Sequence, residues 1–246
     1  MKGRLAIVTG GGVRLGRAIA LGIARAGGDV CIHCSSSLKA AQEVASEVKA
    51  MGRRVMVVQA DLRAPELAAT TIMNATVDQM GLPDCLINNA GVLGPSALED
   101  VDAESWNELN AINVQAPFFL ARAFHDVIGE DRSGSIVNIA DWRQEAVSRL
   151  PYVASKTSLV AMTRSLAVAL APRIRVNAVG PGAILPPPGS DDLWEETFAD
   201  RIPLERTGSV DDVVDAVLFL LRSPFITGEL INVTGGQQLN TGGICE

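Results

Sequence analysis

Residues 4–27 read RLAIVTGGGVRLGRAIALGIARAG, and three patterns follow one another in them. RLAIVT, residues 4–9, is a short, nearly continuous apolar run and predicts a buried strand. Gly10, Gly11 and Gly12 then force a turn. From Arg14 apolar residues recur at helical spacing until Gly27 and Gly28 close the helix. Strand, glycine turn and helix in this order open a βαβ unit whose turn brings backbone close to a phosphate-bearing ligand. The helix N-terminus adds unpartnered N–H groups and a partial positive charge. A ligand-free tight turn has the same glycines, but its place directly after a first strand favours binding.

The alternation continues outward from this unit. DVCIHC (29–34), RVMVVQAD (54–61), DCLIN (84–88), SIVNIA (135–140), RIRVNAV (173–179) and ELINV (229–233) read as further strands. Helical patterns lie between them at 38–52, up to Met80, at 103–129, 152–171 and 210–222. Several strands are continuous apolar runs, as expected for strands buried on both faces. The fold class is α/β: one Rossmann-type domain over residues 1–246, a doubly wound parallel sheet of about seven strands with helices on both faces. No composition break marks a linker and no repeat is visible, although length alone would also allow two small domains. Residues 183–208 are the most irregular stretch. Pro186, Pro187 and Pro188 continue neither a helix nor a central strand there, and the stretch is expected to be a loop covering substrate.

Composition narrows the function. The chain has 246 residues, 48% of them hydrophobic, and a formal net charge of −7. No basic stripe invites nucleic acid. No apolar run reaches membrane-spanning length, and the run near Met1 stops at the glycines, too soon for a secretory segment. Cys31 and Cys34 form a C-x-x-C, but in a strand residues i and i+3 point to opposite faces. With Cys85 and Cys245 they are read as reduced thiols of a cytoplasmic protein, with no metal site. His33 in the same strand and His125 in a helix lack neighbouring ligands and are read as structural.

Candidate binding residues sit at the carboxyl ends of strands. The glycine turn supplies Gly10, Gly12, Arg14, Leu15 and Gly16. The second strand ends in Ser35 and Ser36, with no carboxylate to grip an NAD ribose and repel a 2′-phosphate. Hydroxyls with the Arg14 guanidinium suit NADPH over NADH, although serines there also suit a solvated turn or a helix N-cap. Asp61 follows the third strand, and Asn89, Ala90 and Gly91 follow the fourth.

Tyr152 and Lys156 stand i, i+4, one turn apart on one helix face. The ammonium is expected to favour phenolate and lower the tyrosine pKa, making an acid–base pair.

Together TGGGVRLG (9–16), Asp61-Leu62, NNAG (88–91), Asn113, YVASK (152–156) and Pro181-Gly182 resemble the short-chain dehydrogenase/reductase family over nearly the whole chain. The resemblance implies a nicotinamide cofactor held also by Leu62, Pro181, Gly182 and Ile184, and catalysis by Asn113, Tyr152 and Lys156. Asn113 would hold a proton-relaying water. It also implies a homodimer or homotetramer acting on a small molecule. Arg14 stands at a usual glycine and Asp141 at the usual catalytic serine. Both departures resemble the pteridine reductase branch, which includes the bacterial dihydromonapterin reductases. Leu93 lies where that branch has an aromatic that stacks on the pterin, and Trp142 offers another aromatic face. An ionised aspartate only accepts hydrogen bonds, so Asp141 fits a substrate with N–H donors, such as a pterin, or a site where the acid stays protonated. Its charge should raise the Tyr152 pKa. The alternatives are reduction of an ordinary ketone, such as a 3-oxoacyl thioester, and a catalytically idle NADP-binding regulator.

Overall fold

The computed structural model describes residues 1–143, 148–186 and 194–239. Seven strands, β1 (Leu5–Val8), β2 (Asp29–Cys34), β3 (Val55–Gln59), β4 (Cys85–Asn88), β5 (Gly134–Ile139), β6 (Ile174–Pro181) and β7 (Leu230–Val233), form one sheet in the order β3-β2-β1-β4-β5-β6-β7. Every neighbouring pair is parallel. The helices are α1 (Arg14–Arg25), α2 (Leu38–Ala50), α3 (Pro65–Met80), α4 (Ala103–Asn110), α5 (Ala116–Ile128), α6 (Leu150–Ala169), α7 (Trp194–Ala199) and α8 (Val210–Arg222). Strand order reverses at β1, between β2 and β4. Open α/β sheets form their ligand crevice at such a point, outside the carboxyl ends of the strands.

Strand alternation divides the core in two. Ala6 and Val8 of β1 join Ile19 and Ile23 of α1 and Val217 of α8 on one face. Leu5 and Ile7 join Ile72 of α3 and Leu120 and Phe124 of α5 on the other. Burying each large side chain of this kind contributes roughly 1.5–3 kcal/mol. The same alternation puts Cys34 in the first cluster and Cys31 in the second. Both are free thiols, and burial pushes the Cys31 pKa up to about 12, away from reactive thiolate. Cys245 lies outside the described residues.

The helix expected at 103–129 is interrupted. Residues Ala111–Gln115 widen into a π-helical turn in which Ala116 N–H bonds Ala111 O. Pro117 has no N–H to offer Asn113 O, and its ring would crowd that carbonyl in an α-helix. The widened turn carries the buried Asn113. The stretch expected to be an irregular loop at 183–208 contains α7, and 187–193 within it lie outside the described residues. Among the described residues no helix is long and apolar enough to cross a membrane.

Candidate active site

A cavity of ≈ 930 Å³ runs along the carboxyl ends of the strands. At one end is the turn after β1. No side chain caps the N-terminus of α1, and Arg17 N–H bonds Val13 O at 3.1 Å. The N–H groups of Arg14, Leu15 and Gly16 therefore lack intrahelical partners, and all three residues line the cavity. A Cβ on Gly16 would stand 2.0 Å from Gly10 O and 2.5 Å from Asn89 Nδ2, so the position accepts only glycine. Asn89 Nδ2 donates to Thr9 O at 2.9 Å and Gly10 O at 3.3 Å, tying the turn to the end of β4. Gly12 behaves differently from expectation: it does not line the cavity. A Cβ there would meet Ala41 at 3.0 Å, so this glycine lets α2 pack close.

Arg14 makes a contact the sequence did not suggest. It occupies the left-handed region at φ 49, and its Nη2 donates to Pro186 O at 2.7 Å. It thus bridges the turn to the segment after β6 through one of its five N–H donors, and it lines the cavity. Ser35, Ser36 and Ser37 line the cavity beyond β2. Ser37 occupies the α2 N-cap position without a capping side-chain bond, so the helix does not consume its hydroxyl. After β3, Arg63 forks the Asp61 carboxylate, with Nη2 2.7 Å from Oδ2, and holds its pKa below the usual range. Leu62, Ala90, Gly91, Pro181, Gly182 and Ile184 also line the cavity.

The other end holds the acid–base groups. α6 starts at Leu150, with Pro151 in its first turn, where proline costs no hydrogen bond. Tyr152 and Lys156 lie one turn apart, and both face the cavity. Lys156 is 5% exposed and donates to Ile139 O at 2.8 Å. Burial lowers its pKa to about 8, against a smaller upward pull from Asp141. Its Nζ is 5.9 Å from the Tyr152 ring centroid. The Tyr152 pKa is raised well above the phenol range by burial, then by the Asp141 charge and a side-chain hydrogen bond to Asp141, while Arg143 opposes the shift. The upward push of Asp141 is as expected. The lowering expected from Lys156 is not found: desolvation and a nearby carboxylate both disfavour phenolate, and the charges that oppose them are Arg143 and Arg149.

Asp141 is buried directly after β5 and lines the cavity. Arg143, which sequence reasoning passed over, grips it through three donors. Its backbone N–H and Nε reach Oδ1 at 2.8 and 3.1 Å, and Nη2 reaches Oδ2 at 3.0 Å. An Asp with an N–H donor two residues on is a recurrent turn, so the Asp141-Trp142-Arg143 spacing did carry a signal. Trp142 is half-buried and outside the cavity lining, whereas Leu93 lies in the lining and is 40% exposed. Asn113 is fully buried behind the wall rather than in it. Its Oδ1 accepts from Val92 N–H at 2.9 Å, and its Nδ2 donates to Val92 O at 2.9 Å and Ser155 Oγ at 3.0 Å. Its amide braces the segment after β4 against α6. A Cβ on Gly91 would come within 3.1 Å of Asn113 Oδ1 and 3.3 Å of Lys156 Nζ. His33, read as structural, also reaches the cavity lining. His125 bonds Arg173 and Asp126 near the end of α5, beside the amino end of β6 and away from the cavity. Among the described residues no cluster of three or more His, Cys, Asp or Glu could hold a metal ion.

Residues 12–238 match the family model described as "Enoyl-(Acyl carrier protein) reductase". A 3-oxoacyl-[acyl-carrier-protein] reductase, FabG, of Staphylococcus aureus is 33% identical over 95% of this chain and 98% of its own length. The crystal structure of FolM Alternative dihydrofolate reductase 1 from Brucella canis, complexed with NADP, superposes with a TM-score of 0.91 at 33% identity, covering 96% of this chain and 94% of that one. A blue fluorescent protein from a metagenomic library, in complex with NADPH, superposes with a TM-score of 0.88 at 31% identity, covering 96% and 98%.

Proposed function

Because the chain belongs to the short-chain dehydrogenase/reductase family, we propose that it uses NADPH to reduce a C=O or C=N group of a small molecule, with Tyr152 as proton donor. The cavity fits a dinucleotide on its own terms. It has open helix N–H groups at Arg14–Gly16, a glycine at position 16 that no side chain could replace, and hydroxyls without a carboxylate at Ser35–Ser37. Solved relatives that carry NADP or NADPH support the choice of cofactor.

When bound, the nicotinamide supplies a hydride to the substrate carbon. The remaining work falls to side chains. Tyr152 gives its O–H proton to the substrate heteroatom, and its raised pKa keeps that proton in place until the heteroatom gains electron density. Lys156 stabilises the phenolate left behind and has N–H donors beyond the one given to Ile139 O. Asn113 keeps Val92 and α6 in register, so the floor beside Gly91 stays narrow. An idle regulator would have no need of a buried ammonium beside a phenol.

The observation that carries the substrate class is the Asp141 carboxylate beside Tyr152, where the family usually has a serine hydroxyl. A carboxylate accepts and does not donate. It therefore favours a ring with N–H donors, such as a reduced pterin, over a plain carbonyl. A second reading, a 3-oxoacyl thioester or other ketone, is favoured by the aliphatic Leu93 in the lining and by the relatives named as 3-oxoacyl reductases.

The test is substrate-dependent NADPH oxidation across dihydropterins and 3-oxoacyl thioesters, with wild type and Asp141→Ser. The pterin reading expects dihydropterin turnover that falls roughly ten- to a hundredfold in kcat/KM on losing the charge-assisted bond. Ready reduction of a ketone by wild type, helped or unaltered by Asp141→Ser and with no pterin turnover, establishes the second reading instead.

A further inference from the structure

His33 is the buried titratable group of the cavity that the chemistry above does not use. It lies in β2, 1% exposed, yet its ring reaches the cavity lining. Nε2 is 3.1 Å from Ala60 O. A carbonyl only accepts, so Nε2 carries the proton and Nδ1 is the bare acceptor. Nδ1 in turn receives the Gly10 N–H at 3.3 Å. The same residue's main-chain oxygen receives the Gly11 N–H at 3.0 Å. One residue therefore fixes two successive N–H groups of the glycine turn and ties that turn to the end of β3, beside Asp61.

The consequence is directional. Gly10 and Gly11 donate towards β2, leaving the N–H groups of Arg14, Leu15 and Gly16 to face the cavity. Gly10 sits at φ 62 and has no side chain of its own to hold that peptide in place. Asn89 grips its carbonyl, and His33 grips its N–H. Remove the imidazole acceptor and a partly buried donor is left without its partner, at a cost comparable to a lost hydrogen bond.

We infer that His33 is a positioning residue for the cofactor: its Nδ1 sets the orientation of the Gly10 peptide, and through it the grip of the turn on the dinucleotide phosphates. The inference rests on NADPH being the ligand of this cavity. It concerns neither Tyr152 nor the reacting atoms, so its mark is in cofactor affinity.

Two isosteric substitutions separate the two ring nitrogens. The amide oxygen of Asn falls near Nδ1, so His33→Asn keeps an acceptor for Gly10. The amide nitrogen of Gln falls near Nε2, so His33→Gln keeps the donor to Ala60. Equilibrium Kd for NADPH, KM for NADPH, kcat at saturating NADPH and Tm are measured for wild type, His33→Asn, His33→Gln and His33→Leu. The expected result is a Kd and KM about tenfold higher in His33→Leu and His33→Gln, recovery to within about threefold in His33→Asn, and a much smaller change in kcat. Recovery by Gln and not Asn overturns the inference, as does wild-type affinity in His33→Leu. Equal weakening in all three variants in step with lowered Tm also overturns it, since that is a packing role. If wild type binds NADH and not NADPH, the cofactor reading fails on its own. The same ordering of variants with NADH then still supports the inference, and its absence overturns it.

Discussion

Arg143 closes a two-pronged fork on Asp141, with Nε 3.1 Å from Oδ1 and Nη2 3.0 Å from Oδ2. The Asp141 side chain is 7% exposed and the Arg143 side chain 36%. The carboxylate that replaces a serine therefore comes with its own counter-charge, two residues along the chain. The pair brackets Tyr152 electrically, because Asp141 raises its pKa and Arg143 lowers it. An acceptor is thus placed beside the proposed proton donor with its charge partly offset by Arg143.

Removing Arg143 alone leaves a buried carboxylate without its main partner. Arg143→Leu is expected to cost roughly 1–3 kcal/mol, below the range for a fully buried pair because the guanidinium is partly solvated. Asp141→Ser/Arg143→Leu, which removes both charges, is expected to recover most of that loss. Urea unfolding of the two single variants and the double variant gives the coupling. Additive effects would show that the fork has no energetic role. The pH–rate profile is expected to shift as well, with Tyr152 harder to ionise in Arg143→Leu.

Tyr152→Phe keeps the ring in its packing and removes the O–H proposed to protonate substrate. Turnover is expected to fall by orders of magnitude, with NADPH affinity nearly unaltered. Fluorescence titration with NADPH and steady-state kinetics check the two halves. A Phe variant that keeps most of its kcat removes Tyr152 from the chemistry.

What was legible in the sequence was local and periodic. The strand, glycine turn and helix of residues 4–27, the opposite faces of Cys31 and Cys34, and the Tyr152–Lys156 spacing each depend on neighbours a few positions away. What escaped depends on distant chain or on competition between forces. Arg14 bonds a carbonyl 172 residues away, and no pattern around position 14 records that. Pro117 was visible, but whether it ends a helix or widens a turn depends on the packing around Asn113. Tyr152 was expected to be lowered by Lys156, but burial and Asp141 raise it, and the opposing charges come from Arg143 and Arg149 instead. Arg143 was in plain view as a neighbour of Asp141, and His33 was read as structural. Their roles follow only from which atoms face each other.

The cofactor preference rests on the end of β2, where Ser35–Ser37 line the cavity without a carboxylate. Ser36→Asp puts a negative charge where a 2′-phosphate is expected to lie. NADPH affinity is expected to fall about tenfold or more through charge repulsion, with NADH affinity unaltered or improved. Titrating both cofactors against wild type and variant checks this. Equal wild-type affinities for NADH and NADPH would remove the preference.

Lys156 couples function to stability. Burial lowers its pKa from 10.5 to about 8, so the folded state holds this proton less tightly than the unfolded chain does. At neutral pH both states are protonated and the buried charge costs stability. Between pH 8 and 10.5 the unfolded chain binds more proton, so the cost is relieved as pH rises through that window. Lys156→Met fills similar space without a charge but leaves Ile139 O without its donor. The variant is expected to be more stable than wild type at pH 7, on the order of 1–3 kcal/mol, with the gap closing by about pH 10. It is also expected to lose turnover, because the phenolate of Tyr152 loses its cation. Wild-type activity should likewise decline above about pH 8 as Lys156 deprotonates. Denaturant unfolding at pH 7 and pH 10, beside kinetics at both, checks the three statements. A methionine variant that is less stable than wild type at pH 7 would show that the ammonium is held at no net cost, and that Ile139 O and its neighbours fully compensate its burial.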